Sequence, residues 1–255
     1  NEVYRQATLN FMGKNADPLV LTGAAYDEER MLAQNRARND KTGAFFIHFL
    51  KTMLAVHFGE AALAKKEAEQ AEKLLEAVLA KFEIPNLHYY HALAALSLAE
   101  KAAPAKRRSL IRKACKCRDI LRKWAKDAPM NFAHKADLIE AERLRVTGKQ
   151  VEARVWYDRA ISGAGTQEFI QEEALGYELA GRFYLAQQAG DLAEYYLKAA
   201  YNTYREWGAT GKLRRLERAF PKQVTGVQRA EAGGDGMSDS ASGLRRSMLD
   251  ISTVL

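Results

Sequence analysis

The sequence predicts an all-α protein in which antiparallel helix pairs stack side by side as an α-solenoid. The main observation is an internal repeat between residues 131 and 209, in which adding 40 to a residue number gives its counterpart. Small residues correspond to small and bulky to bulky, at the three- and four-residue spacing of one helix face. Such repeated helix–turn–helix units are typical of solenoids. The first copy has Ala141, Leu144, Ala153, Tyr157 and Ala160, and the second has Gly181, Tyr184, Ala193, Leu197 and Ala200.

Helical periodicity extends this organisation towards the N-terminus. Apolar spacing predicts helices at residues 2–12, 26–38, 42–58, 59–81, 87–101 and 106–126. Four of the five prolines fall at the gaps between predicted helices: Pro18, Pro85, Pro104 and Pro129. The fifth, Pro221, would end a last short helix at 211–220. A single helix after the final pair suits a capping element of a repeat array.

The composition changes after the last predicted helix, which divides the chain into three parts. Residues 1–221 form the expected helical-repeat domain, and residues 222–243 are rich in glycine and serine, which predicts a flexible linker. Residues 244–255 regain helical spacing at Leu244, Met248, Ile251 and Leu255. This short seam could pair two chains as a dimer, although it spans under two heptads. A tail without defined structure is the alternative interpretation.

Composition favours a soluble folded protein. Charged residues make up 28% of the 255 residues and hydrophobic residues 47%. Two cysteines are too few for a disulfide framework. No apolar run is long enough for a transmembrane helix, and the first residues contain no signal peptide core, so we expect a cytoplasmic location. The chain begins within a predicted helix pair and without Met, as expected for a piece of a longer protein.

The sequence contains no recognisable catalytic machinery. Phosphate-binding loops, dinucleotide fingerprints, zinc-protease and nucleophile-elbow motifs are all missing, so we expect no enzyme activity, cofactor or metal. Cys115 and Cys117 would point about 200° apart on a helix, which favours two ordinary thiols over a shared metal. His88 and His91 are close enough on a helix to share one. However, no third ligand is near them in sequence, so packing is the favoured interpretation. We expect His134 to cap a helix or to lie in an interface.

One predicted helix is strongly basic. Residues 106–126 carry ten Lys and Arg against one acidic residue, Asp119, a net charge of +9 in a chain whose total is +7. The basic character is therefore local, and it indicates an acidic protein partner, a nucleic-acid backbone, an anionic surface or simply a solvated helix face. Nucleic acid is disfavoured because there is no recognition motif. The candidate partner-binding residues are Arg107, Arg108, Arg112, Lys113, Lys116 and Lys123.

Several segments resemble known families. The run GKQVEARVWYDRAI at 148–161 is similar to the second half of a tetratricopeptide repeat, although a period of 40 exceeds the usual value of about 34. The segments at 26–60, 117–161, 169–185 and 200–221 resemble the helical-repeat region of large multi-domain signalling kinases. In that family a serine/threonine-kinase-like domain and an AAA-type ATPase precede the repeats. A GAF domain and a histidine kinase follow, and MLDISTVL at 248–255 resembles the lead-in to the GAF domain.

The resemblance implies a regulatory module rather than an enzyme. Such a module would act as a scaffold between an ATPase and a downstream sensor or histidine kinase, through contacts with a partner protein or with neighbouring domains of the same chain. The alternative is a stand-alone tetratricopeptide receptor that binds a peptide or a small effector in a concave groove.

Overall fold

The computed structural model describes residues 2–79 and 81–224. These residues form eleven α-helices, one short 3₁₀ helix and a last helical turn at 221–224, with no β-strand among them, which confirms the all-α class. The α-helices are α1 (Glu2–Phe11), α2 (Glu28–Ala37), α3 (Lys41–His57), α4 (Ala61–Glu72), α5 (Glu83–Ala99), α6 (Pro104–Trp124), α7 (Pro129–Val146), α8 (Gln150–Thr166), α9 (Ile170–Ala186), α10 (Gly190–Trp207) and α11 (Thr210–Ala219).

The segment expected as a single helix at 59–81 is divided in two. Helix α4 ends at Glu72, and a 3₁₀ helix follows at Leu75–Val78. Val78 is buried, and the Thr42 hydroxyl donates a hydrogen bond to the Ala77 carbonyl at 3.1 Å, so this segment packs on the start of α3. Residues with high helix propensity favoured one long helix, but the contacts with α3 override that local preference.

The helices pack mainly in consecutive pairs: α3 with α4, α5 with α6, α7 with α8, and α9 with α10. The first helix of each pair also contacts the first helix of the next, from α3 through α5 and α7 to α9. These first helices are the more buried members, and α5 is enclosed along most of its length. The second helices expose one face, and this difference creates an inner row and an outer row.

All ten repeat positions are buried. Ala153 and Ala193 are fully enclosed. Gly181 shows why small residues are needed, since a Cβ there would lie 2.6 Å from Cγ of Leu197 on the partner helix. Because a real Cβ does not approach that closely, α9 and α10 could not pack at this distance with a larger residue at 181.

A recurring turn joins the helices of the C-terminal half. Gly148, Glu168, Gln188 and Gly208 follow one another at 20-residue intervals, and all have left-handed backbone, with φ between +59° and +84°. Each turn also closes with the hydrogen bond of a Schellman motif, such as Lys149 N–H to the Leu144 carbonyl at 2.9 Å. The 40-residue counterpart of Gly148 is therefore Gln188. Gly190 is the first residue of α10.

The two ends of the described chain meet. Helix α11 packs against α1 as well as α10. Thr210 donates to the Met12 carbonyl at 2.5 Å, Arg214 donates to the Gly13 carbonyl at 2.9 Å, and the rings of Phe11 and Trp207 lie 4.8 Å apart. Helix α11 therefore joins the last helices to the first.

The boundary expected between the repeat domain and a linker at residue 222 needs correction. Residues 221–224 are helical, and Val224 is buried in the core, so the folded unit includes them. The rest of the expected linker and the expected helix at 244–255 lie outside the described residues.

Candidate functional site

A buried ionic network lies where the two ends of the chain meet. The Lys212 ammonium on α11 contacts both carboxylate oxygens of Glu178 on α9, at 2.8 and 3.0 Å, and donates to the carbonyl of His57 at the end of α3. Glu178 also accepts from Arg182 at 2.6 Å and from the Tyr204 hydroxyl at 3.0 Å. The Glu178 carboxylate therefore connects α9, α10 and α11, and Lys212 extends the network to α3.

The electrostatics of this network keep the Glu178 carboxylate charged, while burial lowers the pKa of the Lys212 ammonium. Burial alone would raise the pKa of Glu178, but Lys212 and Arg182 lower it to about 2. Burial, helped by the nearby Lys212 charge, lowers the pKa of His57 to about 3, so this imidazole is neutral at ordinary pH. The network can hold helices together, but its ionisable groups are engaged with one another.

A second buried network joins α7 to α9. His134 contacts a carboxylate oxygen of Glu172, and Lys135 contacts the same oxygen at 2.7 Å. The Lys135 ammonium also lies 4.4 Å from the centre of the Phe169 ring. His134 therefore lies in an interface between two helices, which is one of the two positions expected for it.

A cleft of about 360 Å³ opens at the C-terminal ends of the inner helices. Its walls are mostly apolar, with Leu93, Leu175, Leu179, Phe183 and Phe220 among them. This size and lining are typical of small-ligand sites in proteins. The cleft lies between helices α3, α5, α7 and α9, which positions it at the centre of the inner row.

The charged groups of the cleft form ion pairs with each other. Arg145 contacts Glu142 at 2.8 Å and Glu100 at 3.1 Å, while Arg182 contacts Glu178. The Tyr157 hydroxyl donates to Glu142 from α8, so a repeat position also anchors this carboxylate. These paired groups can orient a polar ligand, but they offer no free base or nucleophile.

The basic helix α6 separates into residues that serve the fold and residues that face solvent. Lys113 contacts Glu72 of α4 at 2.5 Å, and Arg107 donates to the Val146 carbonyl at the end of α7. Arg118, also on α6, pairs with Glu140 at 2.5 Å. Arg107 and Lys113, both expected to bind a partner, thus make contacts within the protein.

The other four candidates remain on the outer surface. Arg108, Arg112, Lys116 and Lys123 are exposed, and none has an ion pair among the described residues. Their spacing of four, four and seven residues places them along one face of α6. We call these four residues the basic stripe; Asp119, which pairs with Arg118, lies on the same face between Lys116 and Lys123.

The outer helices also expose large apolar side chains. Val151 and Val155 on α8 and Leu192 and Tyr195 on α10 are each between 45% and 77% exposed. Each helix carries its two residues three or four positions apart, hence on one face. Clustered apolar exposure of this kind is common at protein–protein contacts.

The fold also brings together chemistry that sequence spacing did not reveal. Cys115 and Cys117 are both free, with Cys115 partly exposed and Cys117 buried. They point to different sides of α6, as the helical geometry requires. However, Cys117 lies close to His88 of α5 and Glu72 of α4, while His91 hydrogen-bonds to Glu72 at 3.1 Å. Only the packing of three helices could show this, because no local motif connects these residues.

No described helix has the combination of length and hydrophobicity needed to cross a bilayer. No protein-family model matches the chain, and neither does any curated protein or solved structure. The resemblance to signalling kinases therefore rests on the sequence segments themselves.

Proposed function

We propose that the chain is a non-catalytic, tetratricopeptide-like α-solenoid that acts as a regulatory interaction module in a signalling protein. Its target is an acidic segment of a partner protein or of a neighbouring domain of the same chain. The basic stripe of Arg108, Arg112, Lys116 and Lys123 is the observation that carries this proposal. Four exposed cations on one rigid helix attract a partner of opposite charge and orient it on approach.

A protein partner is favoured over nucleic acid for two reasons. The positive charge is concentrated at α6, where residues 106–126 carry +9 in a chain whose total is +7, so the rest of the chain offers a long phosphate backbone no further net attraction. In addition, Val151, Val155, Leu192 and Tyr195 are exposed apolar residues, which a protein surface can cover.

The place of the module in a longer protein follows from the resemblance alone. An ATPase before the repeats and a GAF domain and histidine kinase after them would make this module a scaffold between them. The contact of α1 with α11 supports such a role, because a body with joined ends moves as one unit. A non-catalytic role is supported by the cleft, whose charged groups are paired with each other.

The proposal can be tested by titrating the chain into a labelled poly-glutamate peptide and measuring fluorescence anisotropy. The test variant combines Arg108→Glu, Arg112→Glu and Lys116→Glu. At about 0.2–1 kcal/mol for each exposed ion pair, we expect the three reversals to weaken binding by at least about 3-fold and by up to about 150-fold.

A matched control changes the total charge equally at other helices. Arg30→Glu, Arg36→Glu and Lys66→Glu alter three exposed residues that have no ion pair among the described residues. We expect this variant to bind the peptide nearly as the parent chain does. Equal weakening in both variants would mean that net charge alone drives binding, and the basic stripe would have no specific role.

The cleft favours a second function, the capture of a small effector. Its volume of about 360 Å³ and its apolar walls with paired charges suit a compact amphipathic molecule. Leu179→Trp would fill the cleft from α9 without altering the basic stripe. Thermal stabilisation by members of a metabolite panel that is lost in Leu179→Trp would support this function, and the absence of any stabilising compound would contradict it.

A further inference from the structure

A cluster of three potential metal ligands lies at the junction of α4, α5 and α6. One carboxylate oxygen of Glu72, one ring nitrogen of His88 and the sulfur of Cys117 all lie within 4.8 Å of one another. The three residues come from three helices and from two different helix pairs. A thiol, an imidazole and a carboxylate together match the ligand types that Zn²⁺ prefers.

The polar groups of the cluster are incompletely satisfied. His88 and Cys117 are at least nine-tenths buried, and Nδ1 of His88 has no hydrogen-bond partner among the described residues. A buried nitrogen without a partner loses its hydration without compensation, which costs stability. The ring stays neutral because burial lowers its pKa, and a neutral imidazole can donate a lone pair to a metal.

We propose that Glu72, His88 and Cys117 form a zinc-binding site that joins the α3–α4 pair to the α5–α6 pair. The fourth position of the tetrahedron is open to water. His91 is a positioning residue, because its Nδ1 lies 3.1 Å from Oε1 of Glu72 and orients that carboxylate. Metal–ligand distances of about 2.0–2.3 Å require the donor atoms to draw together by about 1 Å, within reach of side-chain rotation.

Lys113 occupies the cation position when no metal is bound. Its ammonium contacts both oxygens of Glu72, at 2.5 and 2.7 Å. Lys113 is one-third exposed and Glu72 about one-quarter exposed, so the ammonium can swing into solvent as the metal enters. The Lys113 charge and the metal charge therefore compete for one carboxylate.

Metal binding also releases a proton. Burial raises the pKa of Cys117 to about 12, so the sulfur is a thiol before the metal arrives. Formation of the Zn–S bond breaks the S–H bond and transfers that proton to solvent.

Cobalt substitution tests the site directly. Co²⁺ added to the reduced chain should give the near-ultraviolet thiolate-to-cobalt charge-transfer absorption at one equivalent, and Zn²⁺ should displace it. Cys117→Ala should abolish the band, whereas Cys115→Ala, two residues away on the other side of the helix, should retain it. His91→Gln should weaken the affinity by about 10-fold.

Substitution of Lys113 gives an independent test of the zinc site. Lys113→Met should tighten Co²⁺ binding several-fold and increase the rise in Tm on adding Zn²⁺, while Lys116→Met on the exposed face should change neither. The inference is overturned if neither the parent chain nor Lys113→Met develops the band. It is also overturned if a band survives in Cys117→Ala, or if Cys115→Ala loses it. Circular dichroism of each variant separates loss of metal binding from loss of folding.

Discussion

The turn after α7 and its counterpart after α9 have the same left-handed backbone conformation, but they carry different residues. Gly148 has φ +82° and Gln188, 40 residues later, has φ +59°. A Cβ at Gly148 would meet no atom within 4 Å, and Gln188 is exposed, so neither position involves packing. Substitutions at these two sites therefore measure the free-energy cost of the left-handed backbone, with little contribution from side-chain packing.

Two opposing contributions determine the expected change in the free energy of unfolding. A left-handed residue with a Cβ costs about 1–2 kcal/mol in the folded state. Glycine costs about 0.4–1 kcal/mol through the greater freedom of its unfolded chain. Gly148→Ala should therefore destabilise the protein by about 1 kcal/mol, and Gln188→Gly should stabilise it by about 0.5–1 kcal/mol.

Urea denaturation followed by circular dichroism can measure both variants. We expect opposite shifts of the midpoint at an unchanged m-value, since neither change alters the surface exposed on unfolding. The double variant should return close to the parent stability, because the two turns are separate. Destabilisation by Gln188→Gly, or no effect of Gly148→Ala, would refute the equivalence of the two turns.

Three further predictions concern the buried positions. Lys212→Met should cost up to about 3–5 kcal/mol, because the buried Glu178 carboxylate loses its ammonium and keeps only Arg182 and the Tyr204 hydroxyl as partners. Lys198→Met at an exposed pair should cost under about 1 kcal/mol in the same denaturation assay. Ala153→Leu and Ala193→Leu should each cost about 1–3 kcal/mol by overpacking fully enclosed contacts, and near-zero costs at both would contradict the repeat register. The pKa of Glu172 is lowered from 4.5 to about 2, so its contribution to stability is present above about pH 4.5 and is lost as the pH falls towards 2. The Glu172→Gln variant should therefore lose less stability than the parent chain between pH 4.5 and pH 2. An equal loss in both proteins would contradict this prediction.

The helices and the buried repeat positions were within reach of the sequence because both follow from local spacing. The three- and four-residue intervals of Ala153, Tyr157 and Ala160 define a face whether or not the partner helix is known. The same spacing led to one long helix at 59–81, where the observed break after Glu72 depends on contacts with α3. Local propensity contains no information on such contacts.

The polar interior was much harder to predict. Lys212 belongs to a short, charged helix and looks like a surface lysine, yet the closure of α11 on α9 and α3 buries it. Glu72 lies 16 residues from His88 and 45 from Cys117, so only the packing of three helices brings these groups together. Within α6, the sequence identified a basic helix, but it could not separate Lys113, which pairs with Glu72, from exposed Lys116.

We propose that the basic stripe of α6 binds an acidic protein segment. Lysine acetylation with and without saturating poly-glutamate peptide, followed by mass spectrometry, tests this residue by residue. We expect Lys116 and Lys123 to become several-fold less reactive when the peptide is bound, while Lys66 and Lys198 react as before. Unchanged reactivity at Lys116 and Lys123, or protection spread equally over all four lysines, would contradict it.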